Sequence, residues 1–278
     1  MKVFISLIVF LTSSAVMAAE PRGVVKLQAD VWCPFNCEEA SKNPGYMVEV
    51  AKIAFDSIGM DVEYKNISWN KAIDRGRKGI INGIIGSAKN DAPDFTFPTV
   101  PIGRTKNCFY TLPDSTWHFT DVESLKKVRI GAIEGYTYGE LFEKYVSDYF
   151  KEKEKQKGTM QLAAKKSKND LDVNSAIQTV PGDGSLALNI KKIKAKRLEA
   201  FVEDDSVVKN HLYSEKLPEN TYRNAGCLKS DEIFVAFGPT DPKGKEYAKL
   251  IGDTVVTMRK DGRLKKILEK YGINDWEN

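Results

Sequence analysis

Between Gly45 and Gly86 the apolar positions change period several times. Met47, Val50, Ala51, Ala54 and Ile58 recur at three- and four-residue spacing, which predicts a helix with one apolar stripe. Pro44-Gly45 marks its entrance, and Gly59 is placed to end it in a left-handed cap. DVEYKNI then alternates as a short strand, and a second helix from Ser68 carries Trp69, Ala72 and Ile73 before Gly79 closes it. The almost unbroken apolar run from Ile80 to Ile85 suits a parallel strand covered by helices on both faces. Helix, strand, helix and buried strand make α/β layering. Ligand sites of such sheets lie beyond the carboxyl ends of the strands, so the loops there are the first candidates for function.

The remaining pattern extends this outline. Val24–Val31 is a first strand, followed by the loop WCPFNCEEASKNPGY. DAPDFTFPTVPIG is too rich in proline to be regular, and RTKNCFYTL is strand-like. A second α/β unit begins at Ser124. Val128–Ile133 is a strand, EGYTYG a turn and ELFEKYVSDYF a helix. DVNSAIQTV reads as a further strand, and the next helix has Asp183 or Ser185 available as N-cap. Leu198–Glu203 is a strand running into Asp204-Asp205 and the helix SVVKNHLYSE, which Asp205 or Ser206 could cap. Ile233–Phe237 is a buried-type strand, and two helices follow, Asp241–Lys260 and Arg263–Tyr271. These last elements have no sheet of their own and are best buried by returning to the first unit. Two lobes joined by two chain crossings result, near residues 104–112 and 224–232.

Composition narrows the function. MKVFISLIVFLTSSAVMA has the positive end, short apolar core and small-residue cleavage site of a secretory signal at residues 1–18. Its removal would leave 260 of the 278 residues, enough for two lobes. A net charge of +4 is modest. The lysine-rich stretch 151–168 lacks interleaved aromatics and any nucleic-acid motif, so nucleic acid is not an expected partner. The four cysteines are Cys33, Cys37, Cys108 and Cys227. CPFNC with only two histidines in the chain does not supply a closed zinc site. No metal or cofactor is expected, and in an oxidising compartment a Cys33–Cys37 disulfide is the better reading. Cys108 and Cys227 fall on the two proposed crossings and could pair there if the crossings are neighbours.

Six segments in order resemble the periplasmic solute-binding proteins of the amino-acid type, family 3, that serve ABC importers. They are PGYMVEVAKIAFDSIGMDVEY, RGRKGIINGIIG, FTFP, GAIEGYTYGE, AKRLEAFVEDDSVV and TMRKDGRLKKILEKYG. The resemblance implies a two-lobed α/β fold of the type II periplasmic binding class, with residues 19–108 and 229–278 in lobe 1 and 109–228 in lobe 2. It also implies a monomer that binds one small-molecule solute between the lobes for an ABC transporter permease or a membrane receptor. One departure stands out. Where amino-acid binders of this type usually carry Thr-Pro-Glu-Arg, whose arginine clamps a carboxylate, this chain has SAKNDAPDF, and Lys89 lacks that planar fork.

The candidate ligand contacts follow from both lines of reasoning. Trp32, Phe35, Tyr46 and Trp69, on or beside loops at the cleft edge, are either packing aromatics or a wall for an apolar or cationic ligand. Ser87 and Lys89 follow the first lobe's buried strand. Thr137 and Tyr138 open a helix after Gly135, where a hydroxyl and free amides would suit an anionic group or simply cap the helix. Asp204 aligns with the family aspartate that pairs a ligand amino group, and Glu203 lies beside it. Acidic groups there favour a solute with a cationic nitrogen. No catalytic residues are expected. The rival reading is a cyclohexadienyl-dehydratase-like enzyme, which would need a general acid among Glu134, Glu203 and Asp204 and cations to hold its substrate's carboxylates.

Overall fold

The structure is a computed structural model describing residues 22–160, 176–181 and 185–277. The expected signal segment, the lysine-rich stretch beyond residue 160 and Asp183 lie outside the described residues.

The first lobe is built on one mixed five-stranded sheet. Strands β1 (Gly23–Ala29), β2 (Met60–Asn66) and β3 (Gly83–Ser87) run parallel, with β1 between the other two. Helices α1 (Tyr46–Asp56) and α2 (Trp69–Arg77) connect them. At the α1 entrance Gly45 has φ 107°, and an added Cβ would come within 2.4 Å of the Phe35 carbonyl oxygen, so only glycine fits. Gly59 adopts the expected left-handed cap at φ 72°. The apolar run is shorter as a strand than its sequence suggests. Ile80 is 48% exposed and β3 begins only at Gly83, because Asn82 turns its side chain to the Lys26 amide (2.8 Å) and to Asp241 (2.8 Å).

RTKNCFYTL divides at Lys106 into β4 (Gly103–Thr105) in the first sheet and β5 (Asn107–Thr111) in the second. The second sheet is completed by β6 (Ile130–Ile133), β7 (Ile177–Val180), β8 (Ala200–Asp204) and β9 (Arg223–Cys227), in the order β7-β6-β8-β5-β9. Around it lie α3 (Val122–Leu125), α4 (Glu140–Met160), α5 (Ser185–Lys194) and α6 (Asp205–Ser214). The chain returns through residues 228–230 to β10 (Asp231–Phe237), which inserts antiparallel between β3 and β4, and α7 (Gly244–Lys260) and α8 (Arg263–Lys270) finish the first lobe. Asn107 and Cys108, at the end of the expected lobe 1, therefore hydrogen-bond in the second sheet opposite Asp204 and Glu203.

Each sheet is buried on both faces, as the strand alternation dictates. In β10, Val235 and Phe237 join Val25, Leu27 and the α1, α7 and α8 side chains, while Ala236 turns to Trp69, Ala72 and Ile73 of α2. In the second sheet Phe109 and Val202 face Ile130 and Phe142, whereas Cys108, Tyr110 and Phe201 face Ile193 and Leu212. Each large buried side chain contributes about 1.5–3 kcal/mol. Cys33–Cys37 and Cys108–Cys227 are both disulfides, and the second joins directly opposed residues of β5 and β9 beside the crossings. No helix among the described residues is long and apolar enough to cross a membrane.

Candidate ligand-binding site between the lobes

Strand ends of both sheets converge on one interlobe cavity of about 40 Å³. The first lobe contributes Asp30 and Trp32 after β1, Trp69 of α2, and Gly86, Ala88 and Asp91 at or beyond the end of β3. The second contributes Asn107 of β5, Tyr136, Thr137 and Tyr138 after β6, and Glu203 of β8. Thr105 and Asp231 lie where the two crossings meet the first sheet. A space of that size holds only a few water molecules, so the lobes are closed on each other.

Contacts across the cleft hold this closure. The Tyr136 hydroxyl donates to Asp30 Oδ2, and Trp32 Nε1 donates to Glu203 Oε1 at 3.4 Å. The Trp32 and Tyr136 rings meet edge to face with centroids 6.2 Å apart. Gly135 sits against Asn70, whose Nδ2 would lie 2.8 Å from a Cβ added there.

The electrostatics are one-sided. Asp30, Asp91, Glu203 and Asp231 line the cavity, and among the described residues no lysine, arginine or histidine does. Glu203 is 2% exposed, and the hydrogen bonds it accepts, from the Asp204 amide (2.9 Å) and Trp32, both fall on Oε1. Burial first, then the charge of Asp204, pushes its carboxyl up to about 8, against the easing effect of the Asp204 amide. Asp91 takes the Ala88 amide on Oδ2 (2.8 Å), while its Oδ1 is buried without a well-formed hydrogen bond, although the Thr137 hydroxyl is near enough to ease its charge. Burial still raises the Asp91 carboxyl above its ordinary range. Buried carboxyls such as Glu203 and Asp91, facing a cavity with no basic side chain among the described residues, are costly to ionise unless met by a cationic ligand.

Of the ten ligand contacts expected from sequence, the cavity is lined by Trp32, Trp69, Thr137, Tyr138 and Glu203. The other five lie elsewhere. Phe35 and Tyr46 are core aromatics of the first lobe, 2% and 1% exposed. Ser87 is buried and donates to the Ala88 carbonyl. Lys89 is exposed and rests over the Phe234 ring, 5.1 Å from its centroid. Asp204 is fully buried with both oxygens engaged: Oδ1 caps α6 through the Ser206 amide (2.8 Å), and Oδ2 accepts from the Lys106 amide at the crossing (2.6 Å). It is a structural cap, and the α6 cap is neither Asp205 nor Ser206. Thr137 does not open an anion site either, since the Tyr138 amide donates to Glu143 (2.9 Å) and Asp91 stands beside the hydroxyl.

Asp30, Asp91, Asn107, Tyr136 and Asp231 enter the site without having been singled out. Asp30 directly follows β1 at its carboxyl end, but the strand expected over Val24–Val31 placed it inside the strand. Asp231 carried no local signal, since its position depends on β10 returning to the first sheet.

Two α/β lobes closing on a polar interlobe cavity define a type II periplasmic binding fold. The family model for bacterial extracellular solute-binding proteins, family 3, matches residues 27–274, and the chain belongs to that family. No match is found among the curated proteins. Solved structures share the fold. An ABC uptake transporter substrate-binding protein from Streptococcus pneumoniae with bound histidine is 17% identical, with TM-score 0.65 over 91% of this chain and 93% of that one. A histidine kinase sensor domain similar to periplasmic binding proteins is 14% identical, with TM-score 0.65 over 90% and 96%. The ancestral amino-acid-binding protein AncCDT-1, a precursor of cyclohexadienyl dehydratase, is 16% identical, with TM-score 0.61 over 90% and 95%.

Proposed function

We propose that this protein captures a small solute carrying at least one cationic nitrogen between its lobes, in the periplasm, and delivers it to an ABC importer. The observation that carries this reading is the cavity lining of Asp30, Asp91, Glu203 and Asp231, with no basic side chain among the described residues. Trp32, Trp69 and Tyr136 add aromatic faces that attract a cation. A ligand touching both lobes favours the closed form by its differential affinity, and the closed form is what a membrane partner would recognise. Export through the residue 1–18 signal, and a division of the lobes at the two crossings, belong to the same reading. The dehydratase-like alternative finds less support, because the described cavity offers no cation to hold a carboxylate substrate.

A thermal-shift screen of unfolded and refolded mature protein tests this. At a hundred times its Kd a ligand stabilises by about 2.7 kcal/mol, several degrees for a chain of this length. Amines, betaines and basic amino acids should raise Tm and be recovered unchanged. A response confined to organic acids, or a ligand recovered in altered form, would overturn the proposal.

A further inference from the structure

The acidic cavity is not isolated. Trp32, Tyr136 and Glu203 also line an adjoining, larger depression of about 850 Å³. Its lining also includes Glu38, His211 and Glu215, and among the described residues no lysine or arginine lines it. The sequence holds 42 basic residues against 38 acidic ones, so an acidic lining through two adjoining chambers does not reflect overall composition. Between the chambers stands the Tyr136–Asp30 hydrogen bond, made across the lobes and free to break when they part.

Two further observations point to the occupant. Glu203, buried to 2% exposure, keeps Oε2 unpaired in the wall the chambers share, and Asp91 Oδ1 is buried at the inner end without a well-formed hydrogen bond. A cationic nitrogen would supply hydrogen-bond donors to both carboxyl groups and favour their charged forms. The segment from Ser87 to Phe95, SAKNDAPDF, holds no arginine, and its one lysine, Lys89, rests over the Phe234 ring rather than in the cavity lining. A solute's carboxylate would meet an acidic lining in the inner chamber, with no lysine or arginine among the described residues to receive it.

Building on the proposed cation-binding function, we infer that the solute is an elongated organic amine with two or more positive nitrogens and no carboxylate. One nitrogen sits in the inner chamber among Asp30, Asp91 and Asp231, and the chain passes Glu203 toward Glu215 in the larger one. Trp32 and Tyr136 flank the passage with aromatic surface suited to the methylene spacer.

Titration calorimetry on the refolded mature chain separates this from amino-acid binding, using matched pairs. The pairs are arginine against its decarboxylated counterpart agmatine, and lysine against 1,5-diaminopentane, with spermidine as a longer probe. The decarboxylated member of each pair should bind at least tenfold more tightly than its parent amino acid. Glu215→Gln, at an exposed position, should weaken spermidine by more than it weakens 1,5-diaminopentane. Arginine or lysine binding as tightly as its decarboxylated partner would overturn the inference while leaving the cationic-solute function standing. Binding of neutral or anionic solutes alone, or of none of the probes, would overturn both.

Discussion

Tyr136 of the second lobe donates its hydroxyl proton to Asp30 of the first, across the floor of the cleft. The bond ties a residue that follows β6 to one that follows β1, so it exists only when the lobes are closed. A hydrogen bond to a charged group contributes about 1.5–3 kcal/mol. Tyr136→Phe should therefore raise the open-to-closed ratio of the ligand-free protein about tenfold or more. Small-angle scattering should report a larger radius of gyration for the variant, and an unchanged profile would show that other contacts hold the closure.

The buried carboxylates make stability depend on pH in a definite direction. Glu203 is raised to about 8 and Asp204 to about 6, both by burial. A carboxyl raised above its unfolded value binds its proton more tightly when folded, so its contribution is complete below the unfolded pKa and is lost as pH rises through the folded one. Ligand-free protein should lose Tm as pH climbs from about 4.5 to 8. The Glu203→Gln protein should show a shallower decline, confined mainly to the Asp204 range at the acid end. Parallel melting curves for the two proteins would count against the assigned role of Glu203.

Ligand binding should move the same proton. At pH 7 a carboxyl titrating near 8 is mostly protonated, and a cation beside it favours the charged form. Binding should release up to about one proton at pH 7 and strengthen as pH rises toward 8. Calorimetry in buffers of different ionisation enthalpy measures that release. Proton uptake on binding would contradict the acidic-cavity account.

Cys108–Cys227 closes a sequence separation of 119 residues that contains nearly all of the second sheet. Constraining a loop of that length in the unfolded chain stabilises by about 2–5 kcal/mol. Replacing both cysteines by alanine should lower the denaturant midpoint accordingly, with the slope of the transition also altered by a less compact unfolded state. Loss of Cys33–Cys37, which closes a separation of only 4, should cost less.

The fold was legible where local pattern and burial agree. The stripe of α1 from Met47 to Ala54, the glycine caps and the alternation of β2 are properties of short segments, and so is the buried character of β10. Ile58, expected in the stripe, falls beyond the end of α1 and is 46% exposed. Element edges were less legible. Ile80 looks like strand but is exposed, because the Asn82 side chain sets where pairing begins. In the site, Trp32, Trp69, Thr137, Tyr138 and Glu203 could be found because they sit on or beside strand-end loops. Asp204 satisfied the same rule yet serves as a cap, since its two amide donors come from Lys106 and Ser206, one of them 98 residues away. Asp91 and Asp231 join Glu203 through tertiary approach that no local spacing encodes.

Native mass spectrometry of the protein purified from a periplasmic extract, followed by release and identification of whatever is bound, tests the central claim most directly. The account predicts a stoichiometric small molecule with cationic nitrogen, recovered unchanged and lost when Glu203→Gln is combined with Asp30→Asn. An anionic solute held with equal stoichiometry, and retained by that double variant, would contradict it.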